Sequence, residues 1–264
     1  FARGLSSTTV RKYRMVLHGA LRMAVRWELI EKNPCDKLDP IREDTPEVRW
    51  LEASEQAALL STAQNGRGGR PARLYVPILL ALATGMRRGE LLALRWQDVD
   101  FAGGEVAVRR GLQWTPDGPA FRQGGKTGTR IVALPETLLP VLAEYRRVRA
   151  AQLKVAGAKS DLIFCDALGQ PWNLDGFHSS FDHLRDRSGL PSDIHFHCLR
   201  HTHATELLRA GVHPKIVAER LGHSVRMTLE RYSHAIPSLQ AEAATKTDEL
   251  LRGLLSLPED STAS

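Results

Sequence analysis

Three stretches of this sequence carry side chains suited to work on an anion. The first, TGMRRGELLALRW, runs from Thr84 to Trp96. Gly85 there breaks one apolar helix and Arg87 opens the next, so a guanidinium and a helix N-terminus could face one negative group. The second, GGKTGTR from Gly124 to Arg130, is a glycine-rich tip presenting Lys126. It is not a nucleotide-binding phosphate loop: the glycine needed five residues before Gly125 is Ala120, and the segment leads into a strand. The third is the densest. Six histidines, at 195, 197, 201, 203, 213 and 223, precede Tyr232, and His234 follows it. His197 and His201 have the i, i+4 spacing of zinc helices, but Cys198 stands where an HExxH site needs Glu. Taken singly, these stretches also read as an arginine beside a helix break, a solvated hairpin lysine, and a helix-turn-helix over Ala204 to Tyr232.

The background composition is that of an ordinary globular protein: 264 residues, 42% hydrophobic, 25% charged and 6% aromatic. Disordered and collagen-like classes are excluded, and no apolar run reaches the roughly 18 residues of a membrane span. Cys35, Cys165 and Cys198 are too widely spaced for a metal or redox motif, which points to a reducing, cytoplasmic setting. The formal charge is +6 and the isoelectric point near 9.5. Basic residues gather at the start, with Arg3, Arg11, Lys12, Arg14, Arg22 and Arg26 unopposed by any acid through residue 27. The N-terminal end therefore suits an anionic partner such as nucleic acid. A first residue of Phe rather than Met suggests a trimmed or processed chain.

The elements that must position these groups follow from periodicity. Residues 7 to 30 predict one amphipathic helix, apolar at Val10, Tyr13, Leu17, Leu21, Ala24 and Trp27, ended by Asn33-Pro34. Pro40 to Pro46 reads as a linker, placing a domain boundary near residue 46. Helices are predicted over 54–63 with Ser54 as N-cap, 72–83 and 87–94. Strands are predicted over 105–109, 120–123 and 129–134, forming one small antiparallel sheet. Helical periodicity then returns over 136–153, 173–188, 197–210, 214–221 and 225–232, with Gly189, Gly211 and Gly222 as stops, and a last amphipathic stretch covers 237–255. The fold class is mainly α with a small antiparallel β-sheet, α+β.

In order and spacing, TGMRRGE, GGKTGTR, His197-Cys198-Leu199-Arg200, Leu221-Gly222-His223 and Tyr232 nine residues later resemble the tyrosine recombinases, the phage-integrase family. The resemblance covers nearly the whole chain. It implies that residues 1–46 are the C-terminal part of a helical core-binding domain plus linker, lacking that domain's front half. Residues 47–264 would be a catalytic domain with a C-terminal tail helix. It further implies a site-specific recombinase that cleaves and rejoins DNA through a 3′-phosphotyrosyl intermediate, for integration and excision of a mobile element, with a Xer-like chromosome resolvase or a noncatalytic helix-turn-helix regulator as alternatives. A monomeric topoisomerase shares the chemistry.

By the same resemblance Tyr232 is the nucleophile and Arg87, Lys126, His197, Arg200 and His223 the activating residues, with Glu90 supporting Arg87. Paired guanidinia suit the growing charge of a pentacoordinate phosphorus. A phenol of pKa about 10 needs a proton acceptor, for which His197 is the candidate, and the departing 5′ oxygen needs a donor, for which Lys126 is the candidate. Cys198 departs from the family pattern, where an acid is frequent, and bears on how His197 is held. Neither cofactor nor metal is required. The implied partners are double-stranded DNA attachment sites, contacted at phosphates by Arg11, Arg14 and Arg22, a homotetramer with tail exchange between protomers, and an accessory excision factor. The implied location is the nucleoid.

Overall fold

The computed structural model describes residues 4–41, 48–66, 73–124, 128–233 and 240–255; the side chains of 240–243 and 253–255 are outside the description. Among the described residues no helix is long and apolar enough to cross a membrane. The chain divides into two compact units, Phe1–Glu47 and Val48–Ser264.

The first unit is helix α1 (Ser7–Arg26) folded against a 3-10 turn, Pro34–Lys37. Ser6 caps α1 by accepting from the Thr9 N–H. The helix stops at Arg26, short of the expected residue 30, because Glu28 takes a left-handed conformation, φ 58°, and the chain turns back on Ala24 and Val25. That conformation at a helix end is ordinarily signalled by glycine, so a glutamate there hid the stop. Asn33 caps the 3-10 turn through Cys35 N–H and donates to His18 O at 3.1 Å. No side chain of α1 is buried, and Tyr13, Met15, Val16, Leu17 and Trp27 are exposed.

The second unit begins with α2 (Ala53–Gln64). Its N-cap is Glu52 rather than Ser54, because the Glu55 carboxylate reaches back to the Glu52 N–H at 2.9 Å. Helix α3 (Tyr75–Thr84) ends at left-handed Gly85, and α4 (Arg88–Leu92) begins shortly after it. The β region is two sheets, not one. Strands β1 (Val99–Asp100), β2 (Glu105–Val108) and β5 (Arg130–Ala133) form an antiparallel sheet in the order β1-β2-β5, with Val106 opposite Val132. Strands β3 (Arg110–Thr115) and β4 (Gly118–Gln123) form a separate hairpin that turns at Pro116-Asp117. Gly89 lets α4 approach this hairpin, since a Cβ there would sit 2.7 Å from the Leu112 carbonyl oxygen.

Helices α5 (Leu138–Val155), α6 (Leu174–Arg187), α7 (Phe196–Arg209), α8 (Pro214–Leu221), α9 (Val225–Tyr232) and α10 (Gln240–Leu255) follow. One core runs from Leu51 and Leu59 through α3, the strands and Phe164 to Phe181, Phe196 and Leu199; a smaller cluster joins Ala204, Leu208, Val217, Leu221 and Tyr232. Helix α7 is the axis. It packs on α3, α8 and α9, and it buries Arg200, His201, Thr202, His203 and Thr205 along with its apolar residues. Arg200, His201, Thr202 and His203 enter the core with hydrogen-bond partners, so α7 marks where the site is built.

Candidate active site

Arg87 occupies the N-cap of α4, and its backbone N–H donates to Glu90 Oε2 at 3.0 Å while its guanidinium donates to Glu90 Oε1 at 2.8 Å. The turn that puts it there depends on Gly85. At φ +63°, a Cβ on Gly85 would meet Leu221 Cδ2 at 2.6 Å and the His203 ring at 2.7 Å. The freed Gly85 carbonyl accepts Arg200 NH1 at 2.6 Å. Arg200 also donates NH2 to Leu221 O at 2.6 Å and to His223 Nε2 at 2.8 Å. It is 1% exposed, and burial together with the charge of Arg87 lowers its pKa to about 9. Helix α7 thus connects the TGMRRGE turn with the Leu221-Gly222-His223 turn through a single guanidinium.

The histidine roles follow from the donors around them. A guanidinium only donates, so His223 Nε2 accepts and Nδ1 carries the hydrogen. That Nδ1 is buried, and the described residues offer it no partner. Tyr232, at the end of α9, is fully buried with its hydroxyl 2.7 Å from His201 Nδ1. Burial raises the phenol's pKa against the opposing charges of Arg200, Arg231 and Arg87. His201 is lowered to about 3 by burial and nearby positive groups, so it is neutral and the phenol donates to it. His197 stands edge-on to His201, ring centroids 4.6 Å apart, and is lowered to about 4 by burial and the charge of Arg200. Burial and Arg200 likewise bring His223 to about 3.

The carboxylate that meets Arg87 is Glu90, and it is 4% exposed. Besides Arg87 it receives Arg130, whose NH1 and NH2 lie 3.2 and 2.6 Å from its two oxygens. Burial pushes this carboxyl up, but Arg130 and Arg87 pull it down to about 2. Among the described residues no three His, Cys, Asp or Glu side chains gather to hold a cation. Cys198 is buried, its thiol raised by burial, with Sγ 3.5 Å from the His195 N–H.

Of the residues singled out from sequence, Arg87 meets Glu90, and Arg200 meets His223. Tyr232 touches His201, a residue that sequence reasoning read only as half of an unfilled zinc pair. Lys126 lies outside the described residues. In the first unit Arg11 and Arg22 are exposed, whereas Arg14 donates to the carbonyls of Leu38, at 2.6 Å, and Asp39. Arg130 closes the GGKTGTR string, and sequence reasoning gave it no role of its own. Its signal was an arginine opening a strand whose neighbours alternate toward the core.

The chain is similar to several known proteins. The phage integrase family profile matches residues 49–238. A XerC-like tyrosine recombinase of Caldanaerobacter subterraneus subsp. tengcongensis is 29% identical over 95% of this chain and 68% of its own length. The ICEBs1 integrase of Bacillus subtilis is 28% identical over 94% of this chain and 67% of its own. The Tn1549 transposon integrase, solved in complex with a circular intermediate DNA, superposes with a TM-score of 0.78 at 27% identity, covering 92% of this chain and 81% of that one. With a profile match over most of its length, the chain belongs to the phage integrase family and is a tyrosine-type site-specific DNA recombinase.

Proposed function

We propose that this recombinase holds the scissile phosphate between Arg87, Arg200 and His223 and attacks it with Tyr232. The carrying observation is that consecutive residues of α7 divide the work: Arg200 binds His223, and His201 binds the Tyr232 hydroxyl. The unspent Nδ1–H of His223 is a donor for a non-bridging oxygen. During attack the Tyr232 oxygen forms a bond to phosphorus, the bond to the 5′ oxygen breaks, and that oxygen takes a proton from Lys126. His197 accepts the phenol proton. A phosphate anion among the guanidinia offsets the positive charge that, with burial, keeps His197 near 4, and so raises its basicity when DNA arrives. Tyr232 must exchange its bond to His201 for the phosphate, which makes the observed state a resting one.

Residues 1–46 act in this reading as the C-terminal part of a core-binding domain, with Arg11 and Arg22 on DNA phosphates and Arg14 holding the turn below α1. The substrate is a pair of duplex attachment sites bound by a homotetramer, with α10 docking on a neighbouring protomer and an accessory factor directing excision at the nucleoid. Likeness to the ICEBs1 and Tn1549 integrases supports a mobile-element role; the XerC-like relative supports chromosome resolution as the second reading. Nicked suicide duplexes tiled across the DNA flanking the coding sequence test the chemistry. Wild-type protein should become covalently joined to a 3′ phosphate, and Tyr232→Phe should bind without forming the adduct. An adduct with Tyr232→Phe would remove Tyr232 from the nucleophile's role. Preferred cleavage at an element junction supports the first reading, and cleavage at a chromosomal site remote from any junction the second.

A further inference from the structure

We infer that Arg130 is a positioning residue for the phosphate site: it takes up the Glu90 carboxylate from the buried side, so that the Arg87 guanidinium keeps its charge and orientation for the anion. The inference rests on the functional reading above, in which Arg87 meets the scissile phosphate.

Two guanidinia share one carboxylate, but unequally. Arg130 forms a bidentate pair with both Glu90 oxygens, whereas Arg87 donates to Oε1 from its guanidinium and to Oε2 from its backbone N–H. Exposure orders them the same way. The Arg130 side chain is 9% exposed, Glu90 5% and Arg87 26%, so the carboxylate lies between a buried cation and one that reaches the surface. Two positive charges and one negative leave a net positive charge, and it sits on the accessible side. Without Arg130, the Glu90 charge would be matched by Arg87 alone, and the pair would be neutral toward an entering phosphate.

Arg130 also fixes a second part of the site. Its Nε donates to Arg220 O at 2.8 Å, and Arg200 donates to the next carbonyl, Leu221 O. These are the closing carbonyls of α8, the negative end of that helix, just before Gly222 and His223. One buried guanidinium therefore joins the Arg87 turn, β5 and the turn that carries His223. Lysine could replace its charge but not the planar fork that makes all these bonds.

The test measures anion binding and strand cleavage separately. Inorganic phosphate affinity is read by calorimetry at constant ionic strength, and single-turnover adduct formation on the suicide duplexes is read in parallel. Arg130→Gln should weaken phosphate about 10- to 100-fold, as expected for loss of charge-assisted bonds. It should slow adduct formation about 100-fold while duplex affinity stays within a few-fold of wild type. Arg130→Lys should recover part of the phosphate affinity. In the decisive variant, Glu90→Gln combined with Arg130→Gln, the unshared carboxylate is removed, so phosphate binding should exceed that of Arg130→Gln alone. A merely structural Arg130 predicts the opposite order, because the double variant loses more bonds. Phosphate affinity within two-fold of wild type for Arg130→Gln and Arg130→Lys, or a double variant no better than Arg130→Gln, overturns the inference. The phosphate arm needs no DNA, so absence of a wild-type adduct would count against the recombination chemistry, while the role of Arg130 would still be decided by phosphate affinity.

Discussion

Gly85 serves the site by what it lacks. Its left-handed backbone closes α3, its missing Cβ admits Leu221 and His203, and its carbonyl holds Arg200. Substitution by alanine adds a methyl group to a space already filled, in a conformation costing a non-glycine residue about 1–2 kcal/mol. Overpacking adds about 1–3 kcal/mol. Gly85→Ala should therefore lose about 2–5 kcal/mol in urea unfolding, and Arg200 should lose its register with Arg87. A loss below about 0.5 kcal/mol would show that the α3–α4 turn yields without strain.

At the scale of elements, α7 and α10 are opposites. Helix α7 is polar in sequence and buried in fact, because Arg200, His201, Thr202 and His203 all find partners: Gly85 O and Leu221 O, Tyr232, Leu51 N–H, and Leu82 O. Helix α10 is amphipathic, yet residues 244–252 are exposed, Leu250 at 71% and Leu251 at 50%. A helix that buries little of its own face contributes little to its own domain. Truncation after residue 239 should leave the unfolding free energy within about 0.5 kcal/mol of the full chain, a surface-like effect. The same truncation should abolish higher-order complexes in native gels with DNA. Clear destabilisation on truncation would mean that α10 serves its own protomer.

For the whole molecule, acid sensitivity is the collective property. Folding holds His197 and His203 near 4 and His201 and His223 near 3, below the ordinary 6.5, with burial as the leading cause. Above about pH 6.5 these groups are neutral folded or unfolded, and their full contribution is present. Below that, the unfolded chain binds protons that the folded site refuses, so stability falls with pH until about 4 to 3. For the most buried, His201 and His203, the loss approaches about 1.4 kcal/mol per pH unit each. Glu90 adds a separate loss only between its ordinary 4.5 and about 2. The melting temperature should thus drop between about pH 7 and pH 5, with proton uptake on unfolding in calorimetry. A flat melting temperature over that interval would mean that the buried imidazoles are solvated or paired with acids.

Much of the architecture was readable because it is local. Helices α2 to α9 follow the apolar period and its glycine stops, and Gly189, Gly211 and Gly222 all have the positive φ that only glycine takes cheaply. Strands β1 and β3 were missed: β1 is two residues long, and β3 contains Gly111 and polar Gln113. The family strings set which chemistry was in question, since a phenol, two arginines and the histidines keep their identity and order wherever they fold. Two partnerships lay beyond them. Arg130 and Glu90 are 40 residues apart, His201 and Tyr232 are 31 apart, and nothing in the period of either segment encodes the other. The chain alone determined which groups are present and on which element each sits. Which donor meets which acceptor, and hence which imidazoles stay neutral and which guanidinium faces outward, was decided only by packing, because burial and distance set the charge state.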